Sequence, residues 1–394
     1  MSRRGFLRLA AALLALLLAG GCSRLYEKEY SSVTRHEEST DLIRSDVPYY
    51  EVHTYLGMKN AVQGLIAAGA ETGTVHAVDY SGSVQDDISR VCLEATRDYP
   101  LGAYAVEYIS QSVNRILSYY EIKLRISYHL SAEEILSVRT ASSLGDVYAM
   151  MELAAVNGTE HLAVETSTLT VTERALSGYV EGYYRKHPEI LASMPKVTVS
   201  FHPSEESVSK IVEFDFSYHE PHDDAQARLE AVRQTAESIA AEYRGEEAGI
   251  LALGCCTSVA RSILNPSGGD TAYDALVLGS SGSEGCAMAY QLLCNECGLE
   301  CQVVEGRVDG ARRYWNIIRI DGSYYHVDAY ACISEAVTEA FLRSDDEMRL
   351  RYWWDVDKYP ACGGVLTAQQ ILDELLPPET AGPEDEADVP SEEA

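Results

Sequence analysis

The run Ser283-Glu284-Gly285-Cys286-Ala287-Met288-Ala289-Tyr290-Gln291-Leu292-Leu293-Cys294 decides how the C-terminal part of this 394-residue chain folds. Ala287, Tyr290, Leu293 and Cys294 recur at helical spacing and predict a helix with one apolar face. Gly298 supplies its stop. Beyond it the period drops to two. Residues 301–308, 314–320 and 324–328 alternate as strands, and Asp321-Gly322 is a two-residue hairpin turn between the last two. Upstream, 251–264 has a helical pattern that ends at Asn265-Pro266-Ser267-Gly268-Gly269. Helices followed by an antiparallel meander place the chain in the α+β class.

Residues 85–245 carry a weak internal repeat with a spacing of about ninety residues. One helix ends at Asp98-Tyr99-Pro100 and another at Lys186-His187-Pro188. Each is followed by two alternating stretches, 104–108 with 120–128 and 197–201 with 211–218. The second stretches close on Ser127-Tyr128-His129 and Ser217-Tyr218-His219, and a helix follows each. The expectation is two helix–hairpin units. His129 and His219 form a candidate pair, although solvated strand-end histidines are the simpler reading.

Arg3 and Arg4 precede a Leu/Ala run over 7–18 that is short for a membrane span. Leu18-Ala19-Gly20-Gly21-Cys22 then resembles a bacterial lipobox, which implies cleavage before Cys22 and a lipid on its sulfur. The run Ser2-Arg3-Arg4-Gly5-Phe6-Leu7-Arg8 also resembles a twin-arginine signal, so the export route stays open. The expected layout is a signal peptide over 1–21, a tether over 22–45 and an α+β repeat region over 46–245. A C-terminal domain over 246–376 and an acidic tail over 377–394 complete it. The tail has no aromatic residue and cannot bury enough apolar area to offset its ordering entropy. A net charge of −30 argues against nucleic acid as a partner. It suits a module held at the cell surface through its lipid anchor.

Tyrosine outnumbers phenylalanine 26 to five, a bias that suits half-exposed sheets and also a glycan- or peptide-binding face. Ten cysteines, less Cys22, leave an odd number for pairing within the chain. Cys294, Cys297 and Cys301 lack a histidine or fourth cysteine at zinc spacing, so no metal and no cofactor is expected. The adjacent Cys255 and Cys256 read as helix packing, and disulfide connectivity is not legible.

The order of motifs in the C-terminal part resembles the transglutaminase-like (papain-type) cysteine hydrolase family over about 110 residues. Thr271-Ala272-Tyr273-Asp274-Ala275-Leu276-Val277 is similar to that family's Ala-Tyr-x-Ala-Leu-Val, and Ser283 to Ala289 to its Cys-Glu-Gly-Tyr-Ala-x-Ala. Arg313-Tyr314-Trp315-Asn316 stands for His-x-Trp-Asn, and Tyr324-Tyr325-His326-Val327-Asp328 for aromatic-Tyr-x-Val-Asp. Residues 341–348 and 354–362 are similar to the C-terminal extension of one subgroup. The resemblance implies a papain-like fold in which Ser283, Arg313 and Asp328 occupy the catalytic positions. The first two are substituted. Serine needs a base to act as a nucleophile at neutral pH, and arginine cannot be one. Arg313 is expected to pair with Asp328 instead. The family reading is therefore an inactive domain that binds a cell-wall peptide, a glycan or an envelope protein.

Two alternatives stay open. Cys286 lies one turn beyond Ser283, and His326 is two residues from Asp328, so a relocated Cys286–His326–Asp328 set would make a cysteine-type peptidase, amidase or transglutaminase. The bland reading of Cys286 is a core residue. Alternatively the Tyr-rich repeats bind wall glycan or peptide and the C-terminal domain is structural.

Overall fold

The computed structural model describes residues 49–167, 170 and 172–375. The expected signal peptide, the expected tether with Cys22 and the acidic tail lie outside the described residues. Among the described residues no helix is long and apolar enough to cross a membrane. The chain is α+β and divides into two compact units, one built from 49–65, 70–93 and 108–127 and the other from the remaining described residues.

The first unit contains β1 (Tyr49–Val52), α1 (Tyr55–Ala67), β2 (Thr72–Val78), α2 (Val84–Arg97), β3 (Val106–Ile116) and β4 (Tyr119–Tyr128), a few end residues of which fall in the second unit. The sheet order is β1-β2-β4-β3, with β1 parallel and β4 antiparallel to β2. Alternation places Val75 and Ala77 of β2, and Ile122, Leu124 and Ile126 of β4, in the core. Met58, Val62 and Leu65 of α1 and Ile88 and Val91 of α2 are buried as well. A Cβ on Gly73 would lie 2.4 Å from Leu65 Cδ1, so glycine is what lets α1 approach β2.

The second unit opens with the same plan. β5 (Arg139–Thr140), α3 (Leu144–Val156), β6 (His161–Thr166), α4 (Glu173–Lys186), β7 (Lys196–His202) and β8 (Lys210–Ser217) form a sheet of order β5-β6-β8-β7, again with a parallel first pair. Each repeat is thus a β-α-β-α-β-β unit, longer than the expected helix–hairpin. The parallel opening is hard to see in sequence because β1 has four residues and β5 two, too few to show a period. After α5 (His222–Glu242) come α6 (Ala248–Ser262), the short strands β9 (Asn265–Gly269) and β10 (Ser280–Ser281), and α7 (Ser283–Glu296). Then follow β11 (Cys301–Val308), β12 (Ala311–Ile320), β13 (Ser323–Val327), β14 (Phe341–Arg343) and β15 (Tyr352–Trp354).

These last five strands form an antiparallel sheet of order β14-β13-β12-β11-β15. Its two tight turns, Asp309-Gly310 and Asp321-Gly322, have positive φ at both positions, 50° with 84° and 48° with 84°. That is the type I′ geometry that matches strand twist. The helix α7 differs from the single-faced helix expected, because Gly285 through Cys294 are all buried. It packs against β12 on one side and against α5 and α6 on others, so every face meets protein.

The second repeat was grouped with the first in the expected region 46–245. In the structure it shares one core with the C-terminal elements. Val199, Val212 and Phe214 of its sheet and Val232 of α5 belong to the same apolar cluster as Ala252, Tyr290 and Ile318.

Gly285 shows how tightly α7 is seated. A Cβ there would lie 2.2 Å from Ser281 Oγ and 2.5 Å from the Thr271 carbonyl oxygen. Gly285→Ala is expected to cost about 1–3 kcal/mol by overpacking. The cost should appear as a lower midpoint in urea unfolding, and an unchanged midpoint would show that the turn before α7 yields freely.

Candidate functional site

Ser283 is the first residue of α7, and the N-cap before it is Gly282, which has no side chain to cap the helix. The Ser283 hydroxyl oxygen accepts a hydrogen bond from the Tyr314 backbone N–H at 3.2 Å. One residue earlier on β12, Arg313 Nε donates to Asp328 Oδ2 at 2.9 Å. Asp328 is fully buried just beyond the end of β13. The same Oδ2 accepts from the Tyr352 hydroxyl at 2.9 Å, and Oδ1 accepts from the Ala331 N–H at 2.9 Å. The Arg313 guanidinium also lies 4.4 Å above the Tyr330 ring. Burial disfavours its charge, but the Asp328 carboxylate, with Tyr352 and Tyr330 adding to it, raises its pKa on balance.

The structure therefore sets Ser283 against Tyr314, the chain neighbour of Arg313, and pairs Arg313 with Asp328. The chemistry is that of a saturated ion pair. Both Asp328 oxygens are occupied, and Arg313 offers donors only. Beside Ser283, Glu284 receives a hydrogen bond from Arg185 Nε at 3.2 Å, and Arg185 also donates to the Tyr314 hydroxyl at 3.2 Å. Arg185 pairs with Glu305 at 3.2 Å and with Glu181, and Arg312 pairs with Glu305 at 2.8 Å. Burial raises the Glu284 pKa, with Arg185 working in the opposite direction. Arg185 and Tyr352 escaped the sequence reading. Arg185 sits at the basic end of a repeat helix, a position that ordinarily signals only helix-end electrostatics.

Cys286 has no exposed surface, and burial pushes its thiol up to about 12, with the negative Asp328 adding to the effect. His326 is fully buried too, and both of its ring nitrogens are committed. Nδ1 receives the Trp315 indole N–H at 2.9 Å, and Nε2 lies 2.9 Å from Asp345 Oδ1. A shift of register at His326/Val327, and the end of β13 at Val327, separate its partners from those of Asp328. The thiol and imidazole of the relocated set are thus each engaged elsewhere.

His326, Asp345 and Cys362 present ligand atoms within 4.8 Å of one another. The indole can only donate, so Nδ1 is the acceptor and Nε2 carries the proton that goes to Asp345. A metal on Nε2 would require an imidazolate. The trio is a hydrogen-bonded core element, with the Cys362 thiol raised to about 12 by burial.

In the second repeat a groove of about 870 Å³ is lined by Glu160, His161, Lys196, Asp215, Tyr218 and Glu220, among others. His161 Nδ1 lies 2.6 Å from Asp215 Oδ1. Glu220 pairs with Arg228 at 2.9 Å through one oxygen, while Oε1 is buried without a partner. His219 lines this groove and His129 is not among its lining residues.

No protein-family profile matches the chain, and no curated protein matches it. Among solved structures, one described as "Crystal structure of a TGase" aligns with 58% of this chain and 65% of its own, at 11% identity and a TM-score of 0.26. The chain thus spans less than two thirds of that structure, and a match this weak assigns neither family nor activity.

Two outcomes follow. Iodoacetamide labelling of Cys286 in the folded protein should stay slow through pH 9 and match the rate of global opening, because the thiol is protonated and covered. A fast rate below pH 8 that collapses in His326→Ala would reveal an activated thiolate. Separately, burial lowers the His326 pKa from 6.5, with the Asp345 hydrogen bond opposing it. The unfolded chain then takes the proton first. The stability that neutral His326 contributes is complete above about pH 6.5 and is lost as pH falls through the folded value. His326→Gln keeps an acceptor and a donor, and its melting temperature should fall less between pH 7 and pH 5 than that of the wild type. Parallel curves would remove His326 from the acid response.

Proposed function

We propose that the chain is an extracytoplasmic lipoprotein, held to the membrane through Cys22, whose transglutaminase-like C-terminal domain binds at the cell envelope and does not catalyse. The observation that carries the reading is the Arg313–Asp328 pair. It occupies the positions where the resembled family keeps its general base and the carboxylate that orients it, and neither member of the pair is placed to take a proton from the Ser283 hydroxyl. The order of motifs from Thr271 to Asp328 and the placement of Ser283 at the start of a buried helix support the family.

A second reading, favoured by the groove of the second repeat, is that the repeats rather than the C-terminal domain take the ligand, a wall-derived peptide or glycan. The groove lining pairs a cation, carboxylates and a tyrosine, and the unpartnered Glu220 oxygen suits a donor such as an amine or a sugar hydroxyl. A net charge of −30 disfavours nucleic acid as the ligand. The cysteine-hydrolase reading through Cys286 would need a deprotonated thiol, which burial opposes.

Cells producing the full chain are fractionated, and the purified lipid-free protein is sedimented with peptidoglycan sacculi. The wild type should follow the membranes and Cys22→Ala should not. The lipid-free protein should pellet with sacculi, and Lys196→Glu should weaken that binding about tenfold or more, the loss of a desolvated polar contact. No pelleting would end the wall-binding reading. Release of soluble wall fragments that disappears in Cys286→Ala would establish the enzyme reading in its place.

A further inference from the structure

Six of the nine described cysteines gather where α6 meets α7 and the 3-10 turn Ala331–Ile333. Adjacent residues of α6 point in different directions, about 100° apart around the helix. Cys255 reaches the end of α7, with its sulfur 3.7 Å from Cys297 Sγ. Cys256 reaches the 3-10 turn, with its sulfur 3.5 Å from Cys332 Sγ. We infer that these four thiols close into two intrachain disulfides, Cys255–Cys297 and Cys256–Cys332.

Each sulfur pair must close by about 1.5 Å to reach bonding distance. One member of each pair is accessible. Cys297 and Cys332 are partly exposed, while Cys255 and Cys256 have no exposed surface. The oxidant is a disulfide donor, either a thiol–disulfide oxidoreductase or glutathione disulfide. The thiolate of Cys297 or Cys332 attacks a donor sulfur and releases one donor thiolate. The second cysteine of the pair, losing its proton, attacks the mixed disulfide and releases the other. Two protein thiols are oxidised and one donor disulfide becomes two thiols.

The hydrogen bond with Cys332, followed by burial, holds Cys256 well above the ordinary thiol range, and the hydrogen bond with Cys294, followed by burial, does so for Cys255. Closure therefore runs fastest while α6 is still open to solvent, during folding. The second bond has a consequence at the site. Ala331, next to Cys332, donates its N–H to Asp328, and the Cys332 N–H bonds the Asp328 carbonyl at 3.2 Å. Linking Cys332 to α6 fixes the turn that holds the carboxylate of the Arg313 pair.

The inference does not depend on the proposed function. Its test uses the purified full chain refolded with glutathione disulfide, alkylated with iodoacetamide in denaturant before and after reduction. Trypsin combined with a Glu-specific protease cuts at Glu296 and Glu300 and so isolates Cys297 from Cys294 and Cys301. The four cysteines should be protected until dithiothreitol is added. Cys255→Ser should retain only the link from Cys256 to Cys332, and Cys256→Ser only the link from Cys255 to Cys297. Reduction should lower the melting temperature by about 5 °C or more in the wild type. It should not do so in Cys297→Ser/Cys332→Ser, which alters only the two partly exposed sulfurs. Full alkylation without reduction, or links from Cys255 or Cys256 to Cys294 or Cys301, would overturn the assignment.

Discussion

The burial of α7 on every side is the constraint around which the C-terminal half is organised. A helix without a solvent face must find partners for whatever polar groups it carries. Gln291 meets that demand in three directions. Its side-chain nitrogen donates to the carbonyls of Arg185 and Lys186 at 3.2 and 2.9 Å, and its oxygen accepts from the Val303 N–H at 3.0 Å. Asn316 on β12 donates to the Ala287 carbonyl at 2.9 Å. One buried helix is thereby tied to a repeat helix and to the sheet. That is why Ser283, at its start, has a fixed relation to β12.

The substitutions in the motif are best understood through what an ion pair demands. An imidazole in the place of Arg313 would leave a free lone pair beside the helix start. A guanidinium fills the space, binds the carboxylate and offers nothing that accepts a proton. With Tyr352 and Ala331 completing the shell of Asp328, the charges compensate each other where water is excluded. The cluster is a solution to burial, and it was reached at positions where the resembled family places a reactive pair.

Much of this was legible in the residues. The Asp321-Gly322 hairpin turn announces itself, and Gly298, with φ 76°, stops α7 where the pattern ends. The pairing of Arg313 with Asp328 was implied by the resemblance, and opposite charge supplied its physical reason. What escaped has a common cause. Strands as short as β5 carry no period, and the all-round burial of α7 depends on neighbours far away in sequence. The commitment of His326 to Trp315 and Asp345 depends on a sheet face that the alternation rule assigned to Asp328 as well. Arg185 became visible only once the second repeat was seen to share the core of the C-terminal elements.

That shared core makes the two copies unequal. The two β-α-β-α-β-β copies have the same strand order, but the second buries Val199, Val212 and Phe214 in one core with the C-terminal elements. A copy in that position can no longer drift, be exchanged between relatives or be excised as a cassette without opening apolar surface on both sides of the cut. The first copy is under no such restraint from that core. Sequence change should therefore accumulate faster in residues 49–65, 70–93 and 108–127 than in residues 139–242 as the lineage diverges.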